Sequence, residues 1–257
     1  MTHFGGSATT AAEEQEANRE RAKRWLLPLL STLPSRGTRV LNIGCGVGTD
    51  VVVLHEHGWD AWGANPRDRE REGMWAQHGK LKERFVTALG EQLPFRDDSF
   101  DVCLAFEVLE HVGKLPPHYW TPAPDCEDAL RRFARECVRV TKHGGSILLT
   151  TPNRWFPVDP GHGFENRLGA RVHSPFEDLT LSLGQIRRLF AEHDVTQAPL
   201  SGYFRFERSR RIPWRRHAIG GLKALMAFGD TKLGQRLRPL FPWIAVRVRV
   251  RKSRHGS

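Results

Sequence analysis

The sequence predicts an α/β fold, in which a mostly parallel sheet carries helices on both faces. Residues 39–43 form an apolar run that ends in three glycines, Gly44, Gly46 and Gly48, and a helix-compatible segment follows at once. Strand-like runs then alternate with helical patterns along most of the chain. The run at 101–106 is apolar enough to be buried on both faces, as strands of a parallel sheet are.

The remaining elements follow from hydrophobic periodicity, taken in chain order. An amphipathic helix at 11–32 has glutamates near its start and arginines later, which suits the helix dipole. The other helices that the periodicity predicts are 51–55, 66–77, 127–141 and 183–193. The predicted strands are 40–43, 60–64, 84–87, 101–106, 146–151, 195–206 and 243–251.

Two segments fit no element of this core. Prolines in 113–125 argue against regular structure, so we predict a loop after the fourth strand, where it is placed to cover a ligand. Residues 207–242 form an insertion between the last two strands, rich in arginine, with helical spacing of apolar residues at 219–228. We treat residues 1–257 as a single domain.

The composition narrows the class of protein. A chain of 257 residues that is 39% hydrophobic can bury one good core. We find no apolar run of about 18 residues or more and no signal-peptide pattern at the N-terminus, so we predict a cytoplasmic protein. The four cysteines show neither a CxxC pair nor metal-ligand spacing, and we expect reduced thiols.

The chain is strongly basic, with a formal net charge of +10. The positive charge is concentrated at 205–216 and 247–254, whereas the middle of the chain is mixed. Such charge suits RNA, anionic lipid and acidic small substrates alike, and it does not choose among them.

Four motifs occur in a fixed order. They are the glycine loop at 39–50, the segment 91–102, the Leu-Glu-His-Val run at 109–112 and the segment 139–153. In order and spacing they resemble the class I S-adenosylmethionine-dependent methyltransferases, particularly the branch that contains the ubiquinone and menaquinone methyltransferases. The resemblance covers roughly residues 38–200. It implies a Rossmann-like three-layer sandwich with a seven-stranded, mostly parallel sheet and an antiparallel edge strand.

The resemblance also implies S-adenosylmethionine as the cofactor and assigns its binding residues. In this family the glycine loop wraps the methionine part, the end of the second strand meets the ribose, and the loop after the third strand meets the adenine. The cofactor-binding residues predicted here are Gly44, Cys45, Gly46, Gly48, Asn65, Leu89, Gly90, Glu91 and Phe106.

Neutral residues stand at three positions that are usually acidic in this family. They are Asn42, Asn65 and Leu89. An amide pairs with ribose hydroxyls without charge assistance, and a leucine cannot accept from an adenine amino group. We therefore hypothesise cofactor binding weaker by ~1–3 kcal/mol. The stronger version of this hypothesis is a degenerate, non-catalytic protein that only binds the cofactor.

Methyl transfer to a hydroxyl benefits from a base, because the proton must leave as the new bond forms. We predict His111, in the Glu-His pair after the fourth strand, and His162, in a loop rich in glycine and proline. The alternative for Glu110-His111 is that the pair only organises the turn. After the fifth strand, Asn153 either binds the acceptor or holds the loop, and Trp155 either lines a pocket or packs beneath the loop.

A Mg²⁺ site is an alternative that we do not favour. Glu107, Glu110 and His111 share a short segment that we place at a helix start. In the RNA methyltransferases that resemble this segment, a further histidine after the fifth strand completes the set, and His173 is its candidate here. A metal would lower the pKa of an acceptor hydroxyl, but Mg²⁺ prefers oxygen ligands. The prediction is therefore that the site holds no metal.

The function predicted from the sequence is methyl transfer to a hydroxyl or amine of a small-molecule or lipid-linked acceptor. A 2′-O RNA methyltransferase is the less favoured alternative, since we find no RNA-binding module. The basic, amphipathic insertion at 207–242 suits contact with an anionic membrane at its inner surface, and the competing interpretation is a lid that packs on the domain.

Overall fold

The computed structural model describes residues 11–115, 121–159, 171–172, 180–203 and 213–252. Eleven strands lie in these ranges and are numbered here in chain order. They are β1 (Arg39–Ile43), β2 (Asp60–Asn65), β3 (Phe85–Thr87), β4 (Phe100–Phe106), β5 (Lys114–Leu115), β6 (Thr121–Pro122), β7 (Thr141–Pro152), β8 (Val158–Asp159), β9 (Arg171–Val172), β10 (Asp194–Gln197) and β11 (Trp243–Arg249).

Seven of these strands form one sheet in the order β10-β11-β7-β4-β1-β2-β3. The pairs from β7 to β3 are parallel, and β11 runs antiparallel to both β7 and β10. The antiparallel strand thus belongs to the edge pair, with β10 outermost. The predicted fold class, a mostly parallel seven-stranded sheet with an antiparallel edge, is confirmed. The carboxyl ends of β1, β2, β4 and β7 meet at one edge of the sheet.

Helices cover both faces of this sheet. They are α1 (Ala11–Arg21), α2 (Leu27–Leu30), α3 (Thr49–Glu56), α4 (Arg69–Ala76), α5 (Cys126–Val140), α6 (Leu183–Leu189), α7 (Pro213–Gly229) and α8 (Gly234–Leu237). A π turn at Ala22–Leu26 joins α1 to α2, and 3₁₀ turns occupy Gly79–Arg84 and Arg238–Leu240. Of the described helices, none is long and apolar enough to cross a membrane.

Two cores lie on opposite faces because side chains alternate along each strand. Leu149 of β7 packs with Phe133 of α5 and Ile186 of α6. Leu148, one residue earlier, packs instead with the core that contains Trp25 of the N-terminal helix and Leu54 of α3. The N-terminal helix therefore belongs to the face that also carries the helix after the glycine loop.

The predicted strand at 195–206 is wrong at residues 198–203. The strand β10 ends at Gln197, and Leu200 begins a turn in which the amide of Tyr203 donates to the Leu200 carbonyl over 3.1 Å. Asp230 explains the turn, since its carboxylate accepts from the amides of Leu200 (3.0 Å) and Ser201 (2.9 Å). Ala198, Leu200 and Tyr203 are buried and the residues between them are exposed, a near-alternation that resembles a strand in sequence. Residues 204–206 lie outside the described residues.

Four smaller differences concern the ends and the regularity of elements. The strand predicted at 146–151 begins at Thr141, and the helix predicted at 219–228 begins at Pro213, a residue well suited to the first turn. The predicted loop at 113–125 contains the two-residue pair of β5 with β6. The N-terminal helix is interrupted by its π turn just before Pro28, whose ring cannot donate a helical hydrogen bond.

Candidate active site

The glycine loop has the geometry that its sequence predicts. All three glycines have positive φ, +71° at Gly44, +53° at Gly46 and +87° at Gly48. The loop is tied to the neighbouring strand, since the amides of Gly44 and Cys45 donate to the carbonyl of Ala64 over 2.7 and 3.1 Å. Gly48 is the N-cap of α3, so the helix begins at the loop with its positive dipole end.

Close packing explains why Gly44 cannot carry a side chain. A Cβ at this position would collide with the side chain of Val108, which follows β4. The Cys45 thiol also has a packing role, because burial raises its pKa well above the ordinary value for a thiol. A Cβ on Gly63 of β2 would lie 2.7 Å from the Cys45 sulfur. The loop is thus held between β2 and the segment after β4.

Asn65 lies at the last residue of β2 and braces the same loop. Its Oδ1 accepts from the amide of Gly46 over 3.2 Å, and its Nδ2 donates to the carbonyl of Pro66 over 3.0 Å. Both ends of the amide therefore have partners within the protein. An amide oxygen has two lone pairs, so Oδ1 of Asn65 can accept a second hydrogen bond.

The segment after β3 is more open. Leu89 is 56% exposed, and its carbonyl accepts from the amide of Gln92 over 3.0 Å in a turn. A Cβ on Gly90 would lie 2.5 Å from the ring of Phe133, so this residue packs against α5. Burial raises the pKa of the Glu91 carboxyl. The exposed leucine leaves this end of the cleft without the acceptor that an aspartate would supply.

A buried ion pair that sequence analysis missed lies beside the glycine loop. Nη2 of Arg21, at the end of α1, is 2.5 Å from Oδ2 of Asp50, in the first turn of α3. Burial by itself lowers the pKa of the Arg21 guanidinium, but the charges of Asp50, Tyr203 and Glu107 raise it overall. The guanidinium also lies over the Phe106 ring, 5.4 Å from its centroid. Phe106 is thus placed against the N-terminal helix.

Three polar atoms around this pair are buried and have no hydrogen-bond partner among the described residues. They are Nε of Arg21, Oγ1 of Thr49 and Oδ1 of Asp50. Buried polar atoms are nearly always paired, so such a group next to a glycine loop indicates a ligand. Nε of Arg21 can donate to a carboxylate, and Oδ1 of Asp50 can accept from an ammonium. The two atoms together suit a ligand that carries both groups.

Glu107 lies directly after β4 in a conformation rare for a residue with a side chain, with φ at +55°. Its Oε1 lies 2.9 Å from the Tyr203 hydroxyl and 3.2 Å from the Thr150 hydroxyl. Its Oε2 accepts from the indole of Trp243 over 3.2 Å. Burial raises the pKa of the Tyr203 phenol well above its ordinary value, so the hydroxyl remains a donor. Three elements thus fix this carboxylate.

The Glu110-His111 pair lies in a turn, so the predicted helix start at this segment is wrong. The amide of His111 donates to the carbonyl of Val108 over 2.9 Å, and Gly113 ends the turn with φ at +67°. Helix α5 begins only at Cys126. Glu110 is fully buried, and its Oε2 accepts from Thr151 over 3.0 Å. His111 is half-buried at the carboxyl edge of the sheet.

Glu107 and Glu110, the two carboxylates of the alternative metal site, lie against opposite faces of the sheet. Glu107 bonds Thr150 and Glu110 bonds Thr151, and adjacent residues of a strand point to opposite faces. Within the described ranges, no group of three or more His, Cys, Asp or Glu side chains is arranged to hold a metal ion. His162 and His173 lie outside the described residues.

Asn153 holds a loop. Its Nδ2 donates to the carbonyls of Pro239 (2.8 Å) and Phe241 (2.7 Å), and the side chain is buried. Of the two interpretations of this residue, the structure supports the one in which it fixes the loop before β11. Trp155 does not pack beneath the loop, because it is 53% exposed.

Comparisons with known proteins agree with this architecture. The family described as "Methyltransferase domain" matches residues 41–149. An uncharacterised methyltransferase of Mycobacterium sp. (strain JLS) is 32% identical over 206 residues, which cover 73% of this chain and 72% of that protein.

Two solved structures share the fold at low sequence identity. One is a chain of the complex between the Haloferax volcanii Trm112 methyltransferase activator and a candidate methyltransferase, with a TM-score of 0.56, 15% identity and coverage of 95% of this chain and 96% of that chain. The other is a candidate S-adenosylmethionine-dependent methyltransferase from Listeria monocytogenes, with a TM-score of 0.52, 14% identity and coverage of 90% and 99%.

The fold and the glycine-loop cleft define an S-adenosylmethionine-dependent methyltransferase, which confirms the predicted enzyme class and cofactor. The chain belongs to the methyltransferase domain family, as its match to the family and its mycobacterial relative show.

Proposed function

We propose that this chain transfers the methyl group of S-adenosylmethionine to a hydroxyl or amine of a small-molecule or lipid-linked acceptor, in the manner of the ubiquinone and menaquinone branch. The observation that carries the proposal is the buried polar group formed by Arg21, Thr49 and Asp50 beside the glycine loop. The motif order along residues 39–153 supports the same branch.

The residues of the cleft fit the cofactor. The methionine end carries an ammonium and a carboxylate, which would pair with Oδ1 of Asp50 and with the guanidinium of Arg21. The glycine loop contains the backbone amides of Gly44, Cys45, Gly46 and Gly48. Each of these amides already donates to an acceptor within the protein. We therefore assign the glycine loop the role of shaping the cleft and letting the backbone approach the cofactor closely. The Arg21–Asp50 pair would provide most of the polar recognition of the cofactor.

The ribose and adenine ends have weaker partners. Asn65 would accept from a ribose hydroxyl without charge assistance, and Leu89 offers only apolar contact. Glu91 and the backbone of Gly90 remain as polar groups near the adenine. The hypothesis of weakened affinity rests on these two positions and on Asn42, and the Arg21–Asp50 pair opposes it.

On the acceptor side, bound S-adenosylmethionine supplies an electrophilic methyl group on a sulfonium, and the protein aligns the acceptor with it. We assign His111, in the turn after β4, as the base that removes the hydroxyl proton, with His162 as the second candidate. Glu107 lies four residues before His111, and its fixed carboxylate would orient a donor group of the acceptor.

Formation of S-adenosylhomocysteine tests this assignment. The full-length chain would be incubated with S-adenosylmethionine and each of a polyprenyl quinol, a simple phenol, a primary amine and an RNA, with and without EDTA. We expect turnover of a hydroxyl or amine acceptor that EDTA does not change. His111→Asn should lower kcat at least tenfold with unchanged cofactor affinity. The control is His143→Asn, which should leave kcat unchanged, because His143 accepts from the amide of Lys252 far from the cleft.

Two results would contradict the proposal. Turnover of RNA alone would place the chain with the RNA enzymes. Tight cofactor binding without turnover of any acceptor would favour the degenerate, cofactor-binding protein.

A further inference from the structure

Three leucines of the insertion are exposed on one side of a short helical segment. Leu233, Leu237 and Leu240 are 62%, 46% and 62% exposed. They occupy α8, the residue before it and the 3₁₀ turn after it, all with helical backbone, so their spacing of four and three residues puts them on one side. We call these three residues the leucine ridge. Phe228, at the end of α7, is also exposed.

The exposed charged side chains within the segment of the leucine ridge are basic. Lys232 and Arg236 are exposed beside the leucines. From residue 208 to residue 257, Asp230 is the only acidic side chain in the sequence. Asp230 is occupied within the fold, where it bonds Arg238 and the amides of Leu200 and Ser201. The leucine ridge is therefore flanked, within its own segment, by two exposed cations.

The leucine ridge lies at the same edge of the sheet as the candidate active site. Asn153, directly after β7, holds the backbone at Pro239 and Phe241 through its amide. Leu240 lies between those two residues. Trp155, two residues after Asn153, is exposed as well. Exposed tryptophans, and exposed leucines flanked by cations, are typical of surfaces that enter the headgroup region of a bilayer.

We propose that the leucine ridge docks this protein on an anionic lipid bilayer. Leucines that remain in water gain by entering the acyl boundary, and Lys232 and Arg236 gain from anionic headgroups. A second copy of this chain is a poorer partner for the leucine ridge, because two-fold pairing would bring Lys232 and Arg236 of both copies together. The consequence for catalysis, that a lipid-linked acceptor reaches the active site from the bilayer, rests on the proposed function. The docking itself does not.

Co-sedimentation of the full chain with vesicles tests the docking. Vesicles of phosphatidylcholine alone and of phosphatidylcholine with phosphatidylglycerol would be compared at low and high salt. We expect binding to the anionic vesicles that weakens with salt. The triple variant Leu233→Gln, Leu237→Gln, Leu240→Gln should bind at least tenfold more weakly. Leu33→Gln, which changes a leucine that is 37% exposed after α2, should stay within twofold of wild type.

Two further measurements keep the result unambiguous. Calorimetric titration with S-adenosylmethionine should be the same for wild type and the triple variant, which shows that the variant is folded. Vesicle binding that persists in a chain that binds no cofactor would support the docking and sink the proposed function.

Equal vesicle binding by wild type and the triple variant would overturn the docking. So would the absence of binding to anionic vesicles, or a dimer of wild type in light scattering that the triple variant abolishes. The last result would make the ridge an interface between copies of this chain.

Discussion

The two halves of the carboxyl edge of this sheet are built differently. On the side of β1 and β2, three glycines with positive φ and backbone hydrogen bonds to Ala64 shape the cleft. On the side of β7 and β11, side chains shape it instead, because Glu107 is held by Tyr203 and Trp243 from distant segments. We propose that the first half recognises the cofactor common to the family and that the second half contacts the acceptor.

The Arg21–Asp50 pair joins the two halves. Arg21 bonds Asp50 on the cofactor side, and its guanidinium also lies over Phe106 and over Tyr203 on the other side. We infer that the N-terminal helix closes over the cofactor end through this pair. The predictions below separate the two halves, from the largest expected effect to the smallest.

Asp50→Asn should have the largest effect, because it leaves the buried Arg21 guanidinium without its charged partner. We expect the free energy of unfolding to fall by about 3–5 kcal/mol and the cofactor affinity to fall at least tenfold. Urea denaturation and calorimetric titration measure both. The matched control is Glu56→Gln, which removes the exposed Arg19–Glu56 pair between the same two helices and should cost less than about 1 kcal/mol. Equal effects of the two variants would refute a special role for Asp50.

Gly44→Ala combines a strained φ with a collision against Val108. We expect a loss of about 2–4 kcal/mol in the free energy of unfolding, with cofactor binding too weak to detect. Gly37→Ala is the control, since Gly37 has φ at +85° but a Cβ there would meet no atom within 4 Å. It should cost about 1–2 kcal/mol and leave cofactor affinity unchanged. If Gly44→Ala bound the cofactor as tightly as wild type, the close packing of Gly44 against Val108 would not matter for the cofactor site, and the prediction would be refuted.

Tyr203→Phe removes a hydroxyl that lies 2.9 Å from Glu107 and 2.7 Å from Thr150. We expect the free energy of unfolding to fall by about 1–2 kcal/mol, since the half-buried carboxylate of Glu107 loses a donor. Cofactor affinity should change less than twofold, because this hydroxyl belongs to the other half of the edge. Thr196→Val, which removes an exposed hydroxyl on β10, should stay within about 0.5 kcal/mol of wild type. A large loss of cofactor affinity in Tyr203→Phe would show that the halves are not separable.

Leu89→Asp should have the smallest effect and the opposite sign. It restores an acceptor at an exposed position, so cofactor affinity should rise about three- to tenfold while stability changes by less than about 0.5 kcal/mol. Leu33→Asp adds the same charge at another exposed leucine and should not alter the titration. Weaker binding in Leu89→Asp would mean that the leucine contacts the cofactor favourably.

Local sequence patterns predicted the fold well because the signals for it are local. The glycines of the loop need positive φ, and Gly44, Gly46 and Gly48 all have it. The buried strand β4 reads as a continuous apolar run, and its observed bounds differ from the prediction by one residue.

Contacts between distant segments were not predictable in this way. Arg21 and Asp50 are 29 positions apart, and Tyr203 and Glu107 are 96 positions apart. Neither pair leaves a periodic pattern. The same limit explains why the predicted strand at 195–206 is wrong at residues 198–203. Asp230, directly after α7, accepts from the amides of Leu200 and Ser201 and holds a turn there. A search for basic residues in the N-terminal helix opposite an acidic residue in the first turn of α3 would have raised Arg21 and Asp50 as candidates.

The most direct test of the cofactor site is isothermal titration of the full chain and of Asp50→Asn with S-adenosylmethionine and S-adenosylhomocysteine. We predict that wild type binds both ligands, which share the ammonium and the carboxylate, and that Asp50→Asn weakens both at least tenfold. No heat and no thermal stabilisation with wild type, or equal affinity in the variant, would contradict the assignment of the Arg21–Asp50 pair to cofactor recognition.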